Sequence, residues 1–461
     1  MKFGGTSVKD GDAIGHVASL VKHFYERGYE IAVVTSAMAG VTDSLIDVSM
    51  RLVESGKTTL VKEFIASMTE RHHEACRKAI GDEDILERTL VEIDQRHDEL
   101  EKVLLGIAYL GELSSRSKDY ILSFGERLAA PIVSGAICSL GIDSLAITGG
   151  NAGIITDENF GRARPLIGVE EKIRTRIQPL MQIKKMVPVI CGFIGETESG
   201  AITTLGRGGS DYTATLIGAG VDADEIWLWK EVDGIMTSDP KIVKEARVIR
   251  ELSYREAMEL SYFGAKILHP RALEPAIRKN IPVRVKNTFN PDGEGTRIVR
   301  EIRAKEDVVK AITLIDKVGL INIGGAGVDF ASILAETFKL LADNGVGIVM
   351  VSQGSSELNC SIVVAREDLA RGYRVLKSIN NDYLEVNTIE DIAVIAIVGA
   401  GMAGTPGVAG KVFSAMGRNK INVIMISQGC SEYNISFVVS TRDAEKAVKV
   451  LHSEFELEKI Q

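Results

Sequence analysis

Short apolar runs rich in β-branched residues recur at positions 31–35, 187–193, 225–229 and 282–286. Each is short enough to be a strand buried on both faces. Stretches with helical spacing separate them, at 210–220 after one strand and 270–280 before another. That alternation predicts β-α units around a mainly parallel sheet, in a large domain at about 1–300. Between 52 and 105 the chain is charged and poor in glycine, with apolar positions at helical spacing and no strand pattern. This predicts helices appended to the sheet, an insertion at about 50–120.

The C-terminal third repeats itself. The segment from Val318 (VGLINIGGAGVDF…VMVSQGSSELNCSIVVA) returns from Ile392 as IAVIAIVGAGMAG…IMISQGCSEYNISFVVS. Gly325 corresponds to Gly399 at an offset of 74 and Gln353 to Gln428 at 75, so one residue is gained between them. Each copy reads as strand, glycine-rich turn, helix, strand, polar turn and strand. A unit of roughly 60 residues buries too little to be robust alone, so the modules at 310–385 and 390–461 are expected to pair. In the second copy Gly399, Gly401 and Gly404 form G-x-G-x-x-G between a strand and a helix. A dinucleotide site also needs an acidic residue at the end of the next strand, which here ends in Ser427 and Gln428. That reading is therefore set aside.

Composition changes the picture in three ways. At 461 residues, and about 150 per domain, the chain has length for roughly three domains. Fifty-four basic against 63 acidic residues leave a net charge of −9, so nucleic acid and anionic membranes are not expected partners, and an anionic ligand needs local cations. Five widely spaced cysteines (Cys76, Cys138, Cys191, Cys360, Cys430) form no C-x-x-C pair and have no histidine cluster at metal-ligand spacing, and neither disulfides nor structural zinc is expected. With no basic-then-apolar leader and no run of ~18 to 20 apolar residues, a cytoplasmic location is expected.

Candidate chemistry sits where strands end. Lys2-Phe3-Gly4-Gly5-Thr6-Ser7 combines a strand-borne cation with two glycines that let backbone N–H groups approach an anion; it is not a P-loop, because the lysine precedes the glycines. Thr203-Thr204-Leu205-Gly206-Arg207-Gly208-Gly209-Ser210-Asp211 again joins a strand to a helix. Arg207 can hold a carboxylate through two parallel hydrogen bonds, and Asp211 can accept from an ammonium group. Glu126, in Ser123-Phe124-Gly125-Glu126-Arg127-Leu128, is a carboxylate in an otherwise apolar helical stretch. Ser36 to Thr42 (SAMAGVT) offers hydroxyls in a loop after a strand. Two further stretches are Trp229 to Lys241 (WKEVDGIMTSDPK) and Phe263 to Pro270, which carries Lys266. Taken one at a time, each has a plain alternative: a bare turn, a surface ion pair, a solvated helix face or a helix cap.

Together, KFGGTS, SAMAGVT, FGER, TTLGRGGSD, VDGIMTSDP and YFGAKILHP, in this order and followed by the doubled repeat, closely resemble the aspartate kinase family over essentially the whole chain. The resemblance implies an α/β fold: an αβα sandwich amino-acid kinase domain with a mainly parallel sheet, plus two C-terminal ferredoxin-like ACT modules. It implies ATP, with Mg²⁺, and L-aspartate as ligands, and transfer of the γ-phosphate to the aspartate side-chain carboxylate, a first step toward lysine, threonine and methionine. Carried over by position, Lys2, Gly4, Gly5, Ser36 and Lys266 contact the ATP phosphates, and Lys230, Glu231, Met236 and Lys241 line the nucleotide. Arg207 holds the substrate α-carboxylate, Glu126 its ammonium, Thr42 and Ser210 its side-chain carboxylate, and Asp211 orients the reacting groups.

The sequence departs from the commoner family pattern at Lys230-Glu231, where Thr-Asp is usual, at Met236, where an aromatic is usual, and at Lys241, where arginine is usual. The repeated S-Q-G-x-S-E-x-N turn makes Gln353, Asn359, Gln428 and Asn434 candidate effector contacts. Threonine is favoured as effector over lysine, whose ammonium would need Asp329 or Glu357. A homodimer or higher homo-oligomer through the ACT modules is expected, and a fused dehydrogenase is not, the sequence stopping at Gln461. The alternatives are another amino-acid kinase, such as acetylglutamate or glutamate 5-kinase, and a catalytically inactive amino-acid sensor.

Overall fold

The computed structural model describes residues 1–263, 268–302, 308–325, 330–354, 359–379, 384–430 and 432–460. Two compact units divide the chain: Met1–Ile235 with Ile267–Glu301, and Met236–Lys266 with Ile302–Gln461.

The first unit runs β1 (Lys2–Phe3), α1 (Gly11–Tyr25), β2 (Val33–Thr35), α2 (Val41–Ser55), α3 (Thr58–Ala79), α4 (Glu83–Leu110), α5 (Ser115–Cys138), β3 (Ser144–Ile147), β4 (Ile155–Thr156), α6 (Val169–Gln182), β5 (Val187–Cys191), β6 (Ile194–Thr197), β7 (Ile202–Thr204), α7 (Gly209–Gly220) and β8 (Ile226–Lys230). After β9 (Glu251–Ser253) and α8 (Tyr254–Tyr262), which group with the second unit, it resumes with α9 (Glu274–Lys279), β10 (Val283–Asn287) and β11 (Thr296–Val299). Its main sheet is ordered β3-β5-β2-β1-β8-β10-β11, every neighbour parallel except β10 with β11. Helices α1 and α5 pack together on one face and α6 and α7 on the other, which is the expected αβα sandwich. β4, β6 and β7 form a small separate sheet. The core centres on β1, where Phe3 stacks on Trp229 with ring centroids 5.9 Å apart.

The charged stretch after residue 52 is helical, as its periodicity predicts. α5 is the one helix, among the described residues, long and apolar enough to cross a membrane by length and composition. No such run is expected from the sequence. In the structure 94% of that stretch is buried, so its apolar girth is explained by packing against α1, α3, α4, β3, β5 and β7.

The second unit adds β12 (Ala311–Gly325), α10 (Phe330–Asp343), β13 (Ile348–Gln353), β14 (Asn359–Ala365), α11 (Arg366–Lys377), β15 (Leu384–Val398), α12 (Val408–Arg418), β16 (Met425–Gln428), β17 (Asn434–Ser440) and α13 (Thr441–Glu454). Its strands form one antiparallel sheet, β13-β14-β12-β15-β17-β16. The two repeats exchange strand halves. β12 and β15 pair along their length, from Ala311 with Val398 to Gly325 with Leu384, through a bulge after Ile315. The first half of β12 packs its Ile312 with Val412, Phe437 and Leu451 of the second repeat, and the first half of β15 packs its Val386 with Leu341, Ile362 and Leu376 of the first. Each module thus borrows its fourth strand from the segment preceding the other, giving two ferredoxin-like halves in one sheet.

The first glycine of the triplet in the second repeat serves packing. A Cβ on Gly399 would lie 2.4 Å from the Val308 carbonyl oxygen and 2.8 Å from the Val309 Cα. Segment 236–266, read from sequence as part of the large domain, groups with the second unit because Val243 and Ala246 are buried in the core of the second repeat, with Met236 and Ile242 against it.

Candidate active site

A cavity of about 610 Å³ lies at the carboxyl ends of the parallel strands β1, β2 and β5, where open α/β sheets hold ligands. Its lining comes wholly from the first unit.

Two helices begin at this cavity. α2 starts after Gly40 and α7 after Gly208; both glycines are in the left-handed region (φ 78° and 71°), and neither helix has a side-chain cap. A left-handed N-cap turns the chain sharply into the helix at no Cβ cost. The N–H groups of Val41 and Gly209 close turns onto the carbonyls of Met38 at 3.0 Å and Gly206 at 2.9 Å, and the positive ends of the two helix dipoles are presented to an anion.

Between them lies a buried charge cluster. Lys2 is 5% exposed, and its Nζ lies 2.8 Å from Asp211 Oδ1. Lys230 Nζ, at the end of β8, lies 2.8 Å from Asp211 Oδ2. Burial alone would raise the Asp211 pKa, but the two ammonium groups overcome it and hold the carboxyl at about 2. Burial pulls Lys2 below its ordinary value, and Asp211 opposes that pull. One ionised carboxylate thus fixes two lysines on adjacent parallel strands, leaving one positive charge in excess.

Glu126 faces the cavity from α5 and is 3% exposed. Its Oε1 accepts the Ala37 N–H at 3.1 Å, while Oε2, buried as well, has no hydrogen-bond partner among the described residues. Burial raises its pKa to about 8, against the lowering effects of the Ala37 N–H and Lys2. Arg207 lines the cavity, is exposed, and forms no ion pair among the described residues. A cationic half and a half that holds Glu126, with one oxygen unpartnered among the described residues, therefore share one opening.

The chain matches the amino acid kinase family over residues 1–287, and an ACT domain over 321–378 and 395–455. Aspartokinase 2, chloroplastic, of Arabidopsis thaliana is 34% identical over 467 residues, which cover 99% of this chain and 84% of that protein. This chain belongs to the aspartokinase family. The enzyme class expected from the sequence, an ATP-dependent kinase, follows with it. Aspartokinase III of E. coli, solved in complex with aspartate and ADP, superimposes with a TM-score of 0.81 at 28% identity over 98% of both chains. The bifunctional aspartokinase/homoserine dehydrogenase 2 of Arabidopsis thaliana is 33% identical over 98% of this chain, which spans half its length.

In this aspartokinase-family chain the residues singled out from sequence fall in different places. Lys2, Gly5, Ser36, Thr42, Glu126, Arg207, Ser210 and Asp211 all line the cavity. Gly4 lies beside it, its carbonyl accepting the Ser7 N–H at 3.0 Å, and Lys230 joins through Asp211. Glu231 turns instead to Thr6, whose hydroxyl donates to its Oε2 at 2.9 Å, and so ties the end of β8 to the turn after β1. Met236 and Lys241 belong to the second unit: Met236 packs on the second repeat's core, and the exposed Lys241 donates its backbone N–H to Asp239 at 2.8 Å. Lys266, Asp329 and Glu357 lie outside the described residues.

The effector candidates occupy equivalent places. Gln353 and Gln428 end β13 and β16, and Asn359 and Asn434 begin β14 and β17. β13 and β16 stand at the two ends of the strand order yet come together, the Ser352 hydroxyl donating to the Ile426 carbonyl at 2.8 Å. Asn434 is held, its amide donating to Glu259 at 3.2 Å and its Oδ1 accepting from the Ser436 hydroxyl at 2.8 Å.

Among the cavity residues that the sequence motifs leave out is a second carboxylate on α5. Asp119 lies seven positions before Glu126, on the same face of α5, and is 1% exposed. The spacing was a usable signal: two carboxylates at i and i+7 in a largely apolar helix face the same neighbour.

Proposed function

We propose that this cavity binds Mg-ATP and L-aspartate together and transfers the γ-phosphate to the aspartate side-chain carboxylate, giving 4-phospho-L-aspartate. The supporting observation is the Lys2–Asp211–Lys230 cluster, placed between two uncapped helix N-termini in the cavity that also holds Glu126 and Arg207. Phosphoryl transfer asks a protein to align two anions and neutralise the moving charge. Lys2, held by Asp211, meets the transferring phosphoryl group, with Lys230, Gly4, Gly5 and Ser36 around the phosphates. Arg207 takes the α-carboxylate, the open oxygen of Glu126 takes the ammonium, and Thr42 and Ser210 position the carboxylate that attacks.

The carboxylates of the cavity do not group into a metal-binding set among the described residues. Mg²⁺ fits here as an ion carried on the nucleotide's phosphates, where it neutralises their charge. An N-acylated substrate has no ammonium for Glu126, which disfavours acetylglutamate. A small amino acid, threonine favoured over lysine, is the effector at the Gln353 and Gln428 strand ends, with Asn359 and Asn434 beside them. The chain works as a homo-oligomer through its ACT modules.

The test is formation of hydroxylamine-trappable acyl phosphate from Mg-ATP and L-aspartate, without effector and then with threonine and with lysine. Lys2→Ala and Arg207→Ala, each confirmed folded, are expected to lower kcat/KM by at least about 100-fold. No product from the wild-type chain would overturn the reading in favour of an inactive sensor.

A further inference from the structure

Asp119 sits at the wall of the cavity but spends its oxygens on neither a cation nor solvent. Its Oδ2 accepts two backbone N–H groups, from Gly161 and from Thr204, each at 2.8 Å, and its Oδ1 accepts the Thr204 hydroxyl at 2.8 Å. Gly161 belongs to the loop after β4, and Thr204 ends β7, directly before the Gly206-Arg207-Gly208 turn. One carboxylate on α5 therefore fixes two separate loops, and Phe160, Gly161, Thr204, Gly206 and Arg207 all line the cavity.

The two loops are also fastened to each other. The Ala163 N–H donates to the Thr204 carbonyl at 2.9 Å, and Arg271 donates to the carbonyls of Ala163 at 3.0 Å and Leu205 at 3.3 Å. The Arg271 guanidinium lies 4.8 Å from the Tyr212 ring centroid, on the first turn of α7. Arg271 holds the loops through their carbonyls, and Asp119 holds them through their N–H groups. Among the described residues the exposed Arg207 forms no ion pair, so its place depends on the backbone that carries it.

We propose that Asp119 is a positioning residue for the amino-acid half of the cavity: by clasping Gly161 and Thr204 it sets the turn that presents Arg207 to the substrate α-carboxylate. The proposal rests on the aspartate kinase reading for the identity of that substrate. Asp119 shares its helix face with Glu126, so α5 delivers both the group that meets the substrate and the group that fixes the opposite wall. The clasp works by accepting hydrogen bonds, and an amide can reproduce it. The carbonyl oxygen of an asparagine accepts both N–H groups, and its NH₂ donates to the Thr204 hydroxyl.

The test compares Asp119→Ala, Asp119→Asn and Thr204→Val in the full chain, with wild type in the same assay. Asp119→Ala is expected to raise the KM for aspartate by about 10- to 50-fold and the KM for ATP by no more than about twofold. Thr204→Val, which keeps the backbone bond and loses the hydroxyl, is expected to raise the aspartate KM by about three- to tenfold. Asp119→Asn is expected to lie within about threefold of wild type. Amide hydrogen exchange adds a readout that needs no substrate: Gly161 and Thr204 exchange faster in the alanine variant and slowly again in the asparagine variant. Equal effects on the two KM values, or an asparagine variant as impaired as the alanine one, overturns the proposal. Wild type without aspartate-dependent product overturns the kinase reading instead, while the exchange result still decides whether the clasp exists.

Discussion

Two glutamates, one in each unit, are both buried and differ in what their oxygens meet. Glu256, at the start of α8, is fully satisfied: Oε2 accepts the N–H and the hydroxyl of Ser253, each at 2.8 Å, in a reciprocal helix cap, and Oε1 accepts the Ala400 N–H at 2.7 Å. Glu126 accepts one N–H and leaves its second oxygen without a partner at a cavity wall. A buried carboxylate is costly, and the fold can offset that cost itself or leave it for a ligand. The first arrangement holds structure together. The second stores a binding preference at the expense of stability.

Removing each carboxylate should therefore act on a different quantity. The largest effect is expected for Glu256→Ala, which leaves three donors unmet. The calorimetric transition of the second unit should fall by about 3 kcal/mol, with aspartate and ATP KM values little changed. An unchanged transition would break the comparison from the structural side.

Glu126→Gln should do the reverse, raising the aspartate KM by about 10- to 100-fold with stability preserved. Its pH behaviour sharpens the point. The folded pKa lies at about 8, above the ordinary 4.5, so the stabilising contribution is complete below about pH 4.5 and is lost as pH rises through about 8. Ligand-free wild type should thus lose thermal stability relative to the glutamine variant over that window. The wild-type aspartate KM should fall over the same rise, because an ammonium ligand pairs with the ionised form. A KM equally pH-dependent in the variant would sink this assignment.

The effect smallest at neutral pH concerns a buried group that lines no described cavity. His97, on α4, has both ring nitrogens without hydrogen-bond partners among the described residues and lies edge-on to His72 of α3 at 5.3 Å. Burial lowers His72 to about 4 and His97 to about 3, with neighbouring histidines adding to the pull on each. Their contribution is complete above about pH 6.5 and is lost as pH falls toward those values, at up to about 1.4 kcal/mol per pH unit for each. His97→Leu should flatten the acid limb of the melting-temperature profile and leave the KM values alone. An acid limb as steep as that of wild type would show that these rings do not set it.

Much of the site was legible because its chemistry is local. Lys2 with Gly4 and Gly5, or Arg207 with Gly208 and Ser210, puts a charge and a flexible backbone within a few residues, and that combination reads as anion binding on any strand end. What stayed hidden depends on partners far away in sequence. Asp119 gains its role from Gly161 and Thr204, and Met236 its place from the core of the second repeat.

The amino-acid pattern alone determined the β-α alternation, the helical insertion, the doubled module and the strand ends that carry charge, since each follows from periodicity or from neighbours along the chain. Only the tertiary structure decided that β12 and β15 trade halves, that one aspartate pins two lysines, and that Glu126 keeps an oxygen in reserve. Those outcomes turn on which polar atom finds a partner beyond its neighbours along the chain. Residue spacing cannot encode such a choice, because the energy of a buried charge is set by its surroundings.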